Sequence, residues 1–205
     1  MDERLFFSAT ERNRKHIAKV LYRFLPKMGS VLEVASGSGE HAVYFQKNLP
    51  NCLWQASDPD ILHRRSINAW IEFEGLNNHM PKSIYLDVED YPWQLPLNIS
   101  TNLIAIVAIN LLHISNWSCT ISLFNAAKQY LNKDSLLFLY GPFKKGGLHT
   151  SESNLLFDQS LRSRNSNWGV RDLNQVSKLA ILNGFIDKAT VDMPANNMVL
   201  IYKKR

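Results

Sequence analysis

A short run of strand-forming residues at 31–35 gives way at once to Ser36, Gly37, Ser38 and Gly39. Apolar residues then recur at helical spacing from about Glu40, through Ala42, Phe45 and Leu49. A strand that turns straight into a helix through glycines leaves few folds open. Glycine reaches positive φ and lets another group approach the backbone closely. The free N–H groups at the start of the following helix then face whatever lies beyond the strand end. The same pattern also serves as an ordinary tight strand-to-helix turn.

The rest of the chain repeats this alternation. Ser8 and Glu11 read as a capping box, opening a helix along Ile17, Val20, Leu21, Phe24 and Leu25 that Pro26 stops. A second strand at 53–56 ends at Ser57 and Asp58, and Leu62, Ser66, Ala69, Trp70 and Phe73 form a helical face. A third strand at 84–86 ends at Asp87. The fourth, 103–109, is apolar throughout, as suits a central parallel strand covered on both sides. A helix from about Trp117 to Leu131 follows, then a fifth strand from Ser135 to Tyr140 that Gly141 and Pro142 end. Lys144 to Gly169 is long and nearly featureless, which predicts a mobile loop or lid hinged at Lys144–Gly147. Asp172 with Gln175 caps a last helix, and Gly184 suits its C-terminal cap. The last two strands, at 186–192 and 198–202, are separated by only a few residues, which favours an antiparallel hairpin. Strands alternating with helices predict an α/β fold. The expected architecture is a Rossmann-like, mostly parallel seven-stranded sheet with an antiparallel C-terminal hairpin and helices on both faces. With 205 residues, 45% hydrophobic, the chain suffices for a single domain over 1–205.

Composition removes several classes. Cys52 and Cys119 stand far apart, outside any CxxC arrangement, so neither a disulfide framework nor a zinc site is expected. No His/Asp/Glu cluster stands at ligand spacing, and no metal is expected. The N-terminus begins with acids, no signal peptide follows, and no run approaches the ~20 apolar residues of a membrane span. The expectation is a cytoplasmic protein without a membrane partner. The net charge of +5 is scattered over small basic groups with no aromatic interleaving, so solvated surface charge is favoured over a nucleic-acid patch. The oligomeric state is not legible.

Two further positions carry chemistry. Asp58 ends the second strand, nineteen positions after Gly39. Ligands of open α/β sheets lie beyond the carboxyl ends of the strands, where a carboxylate can accept from ribose hydroxyls. This supports an adenosine-containing cofactor without choosing one. His113 follows the fourth strand and is the candidate general base, because an unperturbed imidazole titrates near neutrality. A packing or capping histidine is the other reading.

The 31–45 stretch, Asp58, Asp87 and the last hairpin resemble the class I S-adenosylmethionine-dependent methyltransferases. More narrowly, Arg12-Asn13-Arg14 and the stretches at 32–41, 54–58, 66–70, 113–117, 140–143, 168–172 and 193–197, with Ser153-Asn154 and Phe157-Asp158, resemble the methyltransferase-like protein twenty-six family. The resemblance runs from about Ser8 to the end. It implies a cofactor site at Glu33, Ala35, Ser36, Gly37, Gly39, Asp58 and Asp87, with the Val88 backbone beside the adenine and Asn110 near the methionine end. Ala35 departs from the broad pattern, standing where a first glycine often sits. The resemblance also suggests Arg12, Asn13, Arg14, Trp117, Tyr140, His149, Asn154, Arg171, Asn196 and Asn197 as lid and acceptor-pocket residues. The implied activity is methyl transfer to a small-molecule acceptor. The alternatives are a non-catalytic module that binds S-adenosylmethionine or S-adenosylhomocysteine, a nicotinamide-dependent oxidoreductase, and RNA modification, which rests on charge alone. Against the oxidoreductase stand Ala42 in place of a third glycine, Asp87 and the terminal hairpin.

Overall fold

The computed structural model describes residues 2–205. The elements run α1 (Ser8–Phe24), β1 (Gly29–Val34), α2 (Glu40–Asn48), β2 (Cys52–Ala56), α3 (Ile61–Phe73), α4 (Leu97–Ser100), β3 (Leu103–Ile109), α5 (Trp117–Tyr130), β4 (Leu136–Gly141), β5 (Phe143–Lys145), β6 (Leu148–His149), α6 (Glu152–Arg164), β7 (Arg171–Asp172), α7 (Leu173–Leu182), β8 (Phe185–Met193) and β9 (Asn197–Lys204). Strands pair in the order β2-β1-β3-β4-β9-β8, and a small second sheet has the order β6-β5-β7. The chain packs as two compact units, and the boundary falls inside β3, after Val107.

In the first unit β1 and β2 run parallel, with Val31 opposite Trp54 and Glu33 opposite Ala56. Val31, Leu32, Val34, Phe45, Trp54 and Ile67 are buried in its core. The Phe45 and Trp54 rings lie 5.1 Å apart, within the range where aromatic pairs attract beyond their buried area. Helix α1 buries Ile17, Ala18, Val20 and Leu21, the expected stripe. It begins one residue earlier than the capping box requires. Phe7 occupies the cap, Ser8 is already helical, and no side chain caps the helix.

The expected third strand is reduced to a single parallel bridge between Ser57 and Ile84. The reason is local: the Asn68 side chain takes the Ser83 N–H, and the Asp87 carboxylate takes the Glu89 N–H, so side chains compete for the backbone on both sides of Ile84. The main sheet therefore has six strands rather than seven.

The second unit holds the expected hairpin, β8 against β9, with an irregularity between Asp187 and Ala189. Strand β9 also pairs antiparallel with β4, with Leu137 opposite Tyr202. Phe124 packs edge-on against Phe185 and Tyr202. Asp172 caps α7 by accepting from the Asn174 N–H, and Gly184 takes φ 80 just after its end.

The segment expected to be featureless is instead folded. Gly146 and Gly147 make the tight turn of the β5–β6 hairpin, not a hinge. Ser151 then caps α6 by accepting from the Asn154 N–H. This helix buries Asn154, Asp158 and Leu161, so two of its three core-facing positions are polar and the usual apolar period is absent.

Candidate functional site

The carboxyl ends of β1 and β2 are stitched together by short-range hydrogen bonds. The Ser57 N–H donates to the Glu33 carbonyl, and the Ser36 N–H donates to the Ser57 carbonyl. The Ser36 and Ser57 hydroxyls both donate to the Glu33 carbonyl as well. The chain then turns through Ala35 (φ 52), Gly37 (φ 57) and Gly39 (φ 91). Ala35 adopts the left-handed region that its missing glycine would have taken without strain. At Gly39, which opens α2, a Cβ would lie 2.7 Å from the Ile67 Cα, so only glycine fits against α3.

Asp58 braces this turn and is only 4% exposed. Its Oδ2 accepts from the Gly37 N–H at 2.9 Å. Its Oδ1 accepts from the Asp60 N–H at 2.9 Å, and His63 Nδ1 lies 3.0 Å from the same oxygen. The turn and the expected ribose-binding carboxylate are thus brought together.

Glu33 points elsewhere. Its Oε2 accepts from the Trp54 indole at 2.7 Å. Burial pushes its carboxyl up to about 8, against the indole bond that favours the charged form. Asp87 is half-buried and its Oδ1 is spent on the Glu89 N–H, while the Val88 carbonyl receives the Trp93 indole N–H at 3.4 Å.

A segment that the sequence reading did not single out lies over the glycine turn. The Leu5 N–H donates to Ser66 Oγ at 2.8 Å, and that hydroxyl donates on to the Ser38 carbonyl at 2.6 Å. The Phe7 N–H donates to Glu40 Oε2 at 2.8 Å. The Phe7 ring lies close enough that a Cβ on Gly37 would meet it at 3.0 Å. Its edge also meets His63. Arg12, Asn13 and Arg14 do not take part in this cover. Arg12 is exposed, Asn13 Oδ1 meets His41 Nε2 at 2.7 Å, and the Arg14 guanidinium lies over Tyr44. All three lie in the second turn of α1 and the last two pack on α2.

In the second unit Asn110 takes φ 58 and donates its N–H to the Tyr140 carbonyl. A single 3-10 turn, Leu112–Ile114, then presents His113, which is 5% exposed. The Gly141 backbone lies against the imidazole, and the Phe157 ring meets it edge-on at 5.5 Å. Burial, joined by Arg171 and Arg164, lowers the His113 pKa to about 4. The near-neutral titration that made it a general-base candidate therefore does not hold in the folded protein: its ring is neutral at pH 7.

Arg171 clamps the turn. Its Nε donates to the Leu112 carbonyl at 2.9 Å, and its Nη2 donates to the Ser115 and Asn167 carbonyls. Its guanidinium also lies over Trp117. Beside it, buried Asp158 accepts from the Val170 N–H at 2.7 Å and pairs with Lys144, His149 and Arg162. Burial raises the Asp158 carboxyl, but its bonds to Lys144, Val170 and Arg162 prevail and hold it below the usual range. Asn197 is occupied in the β8–β9 turn, donating to the Pro194 and Ala195 carbonyls, while Asn196 donates to Ser153 Oγ and its carbonyl accepts from Asn154. Among the described residues no group of three His, Cys, Asp or Glu side chains is placed to hold a metal ion, and no helix is long and apolar enough to cross a membrane. A cavity of about 390 Å³ between Tyr22 and Cys52 lies at the amino ends of β1 and β2, away from the glycine turn.

The sheet with its terminal hairpin and glycine turn at the end of β1 is the fold of the Rossmann-like methyltransferases. Mitomycin 7-O-methyltransferase superposes with a TM-score of 0.80 at 11% identity, over 97% of this chain and 55% of the other. Human N-acetylserotonin methyltransferase, solved with SAM, gives 0.77 at 12% identity, over 96% and 52%. A putative sarcosine dimethylglycine methyltransferase from Galdieria sulphuraria gives 0.74 at 12% identity, over 98% and 92%. The chain spans about half the length of the first two. By sequence it belongs to the family described as "Protein of unknown function (DUF938)", whose profile matches residues 4–204.

Proposed function

We propose that residues 1–205 act as one S-adenosylmethionine-dependent methyltransferase domain of the methyltransferase-like protein twenty-six kind, cytoplasmic, with a small-molecule acceptor. The carrying observation is the glycine turn at the end of β1 braced on Asp58 at the end of β2. These residues fit the cofactor: backbone without side chains at Gly37 and Gly39, a carboxylate for ribose hydroxyls at Asp58, and Asp87 with the Val88 backbone for the adenine. Ribose binding asks Asp58 to give up one donor, and His63, whose side chain is 31% exposed, is the one that can swing away. Ala35 and Ser36 flank the methionine end in this reading, Asn110 is carried over to the same role from the resemblance alone, and Glu33 bonds Trp54 beside the turn. Bound there, the cofactor supplies a methyl group activated on a sulfonium. The chain's own work is alignment and exclusion of water. The solved relatives' titles, with O-methyltransferases and an apigenin complex among them, support a small-molecule acceptor.

A non-catalytic binding module is the second reading, favoured by one observation: both Asp58 oxygens already have protein donors. Calorimetric titration with S-adenosylmethionine, S-adenosylhomocysteine and NADH separates the readings. Saturable binding of both sulfur ligands and not NADH, together with turnover on a small-molecule acceptor panel, is expected. Binding without any turnover favours the module, and no binding by folded protein removes both.

A further inference from the structure

Basic residues that look scattered along the sequence are gathered onto one face by α1. From residue 12 to residue 32 the chain has six Lys and Arg (Arg12, Arg14, Lys15, Lys19, Arg23 and Lys27) and no Asp or Glu. Helix α1 buries Ile17, Ala18, Val20 and Leu21. On its other side Arg12, Lys15, Lys19 and Arg23 recur three or four residues apart, all exposed, with Tyr22 among them. Lys15, Lys19 and Arg23 therefore follow one another about 6 Å apart along the helix. Among the described residues none of these four cations, nor exposed Lys27 just past the helix, forms an ion pair.

The row runs into a cavity. Tyr22, Arg23 and Lys27 line the space of about 390 Å³ at the amino ends of β1 and β2, together with Pro26, Leu49 and Pro50, and no carboxylate is among its lining residues. Tyr22 is 77% exposed and, among the described residues, makes no hydrogen bond or ring contact. A row of cations attracts a chain of phosphates, and an aromatic ring beside an apolar cavity offers a base a surface to stack on. Those are the two parts of a site for single-stranded nucleic acid. A membrane surface asks a helix for an apolar face to insert, and that of α1 is spent on the core. An acidic peptide would use the row and leave the cavity idle.

We propose that the exposed face of α1 binds single-stranded nucleic acid, with phosphates on Lys15, Lys19, Arg23 and Lys27 and one base in the cavity against Tyr22. The four-residue repeat of the cations matches an extended strand, whose successive phosphates each meet one of them. The site lies wholly in the first unit and away from the glycine turn. It is independent of the methyl-transfer reading and stands or falls without it.

The test is fluorescence anisotropy of a labelled twelve-nucleotide oligouridine titrated with the full chain at several salt concentrations. Four phosphate contacts on a single strand are expected to give a log–log slope of about −2.8, a loss of about fiftyfold between 50 and 200 mM salt. Lys19→Gln is expected to make that slope shallower by about 0.7. Tyr22→Ala is expected to weaken binding about fivefold or more and leave the slope unchanged, because a stacked base releases no counterions. Lys82→Gln removes the same charge from an exposed loop position of the same unit and is expected to leave the slope unchanged and the affinity within twofold. All three variants are expected to melt as the parent does. No binding, equal slope changes in Lys19→Gln and Lys82→Gln, or full affinity in Tyr22→Ala would overturn the proposal. So would polyglutamate or phosphatidylserine vesicles that compete as well as unlabelled oligouridine, since the row would then serve an acidic protein or a membrane.

Discussion

The Gly37 N–H donates to Asp58 Oδ2 across 2.9 Å, tying the turn after one strand to the residue after the next. One carboxylate thus shapes the loop and, in the proposed reading, is the ribose acceptor. Replacing Asp58 with Ala removes both roles at once. The expected result is at least a hundredfold loss of affinity for S-adenosylhomocysteine by calorimetry, about 2.7 kcal/mol. Asp58→Asn keeps one acceptor oxygen and is expected to lose less.

Gly39 and Gly75 both lie at positive φ, but only the first is crowded: a Cβ meets the Ile67 backbone at Gly39 and open space at Gly75. Gly75→Ala is expected to cost about 1 kcal/mol for the left-handed conformation alone. Gly39→Ala adds displacement of α3 and is expected to cost about 3 kcal/mol. Urea denaturation with an unchanged slope measures both.

Glu33 makes stability depend on pH with a definite sign. Its carboxyl titrates at 4.5 when free and about 8 when folded, so the folded protein keeps a proton that the unfolded chain releases between those values. Its contribution is complete below the lower value and is lost as pH rises through the upper one, at up to about 1.4 kcal/mol per pH unit. Glu33→Gln keeps an acceptor for the Trp54 indole and cannot ionise. The variant is expected to be the more stable protein at pH 9, with the advantage vanishing at pH 4 in denaturation series.

His41 acts in the opposite direction. Burial, with Arg14 nearby, lowers its pKa from 6.5 to about 3. Its contribution is present above 6.5 and is lost as pH falls toward 3. His41→Gln, which can still bond Asn13, is expected to lose less stability than the parent protein between pH 6.5 and 4, followed by thermal unfolding.

Asp158 gathers Lys144, His149, Arg162 and the Val170 N–H around one buried carboxylate. Asp158→Ala leaves basic groups facing one another at a buried site and is expected to destabilise the protein by about 3–5 kcal/mol. Lys144→Met together with Asp158→Leu is expected to recover part of this loss, which a double-mutant cycle on denaturation energies would read.

What the sequence made legible follows from local physics. The apolar run of β3, the glycines after β1 and the short spacing between β8 and β9 are each written in neighbouring residues, and each appears as expected. Helix α6 escaped because Asn154 and Asp158 occupy its buried face, where an apolar period would have announced it. The third strand was overread because its competitors, Asn68 and Asp87, act through side chains that a periodicity reading does not weigh. Within the site, Gly37 and Asp58 were legible from type and spacing. The partnership of Arg171 with the His113 turn spans 56–59 residues of sequence, and no local pattern encodes it.

The segment over the glycine turn is fastened through main-chain amides, Leu5 to Ser66 and Phe7 to Glu40. Every residue except proline carries such an amide. These two ties are therefore written in their receivers, while the Arg4, Phe6 and Phe7 side chains add contacts written in the segment itself. The two amide bonds survive a change of side chain at residue 5 or 7, whereas the contact of the Phe7 ring with His63 does not. A change at Ser66 or Glu40 removes one tie, and the Trp70 indole still donates to the Leu5 carbonyl. The backbone path of the cover and the side chains it shows are thus assigned in part to different stretches of the chain.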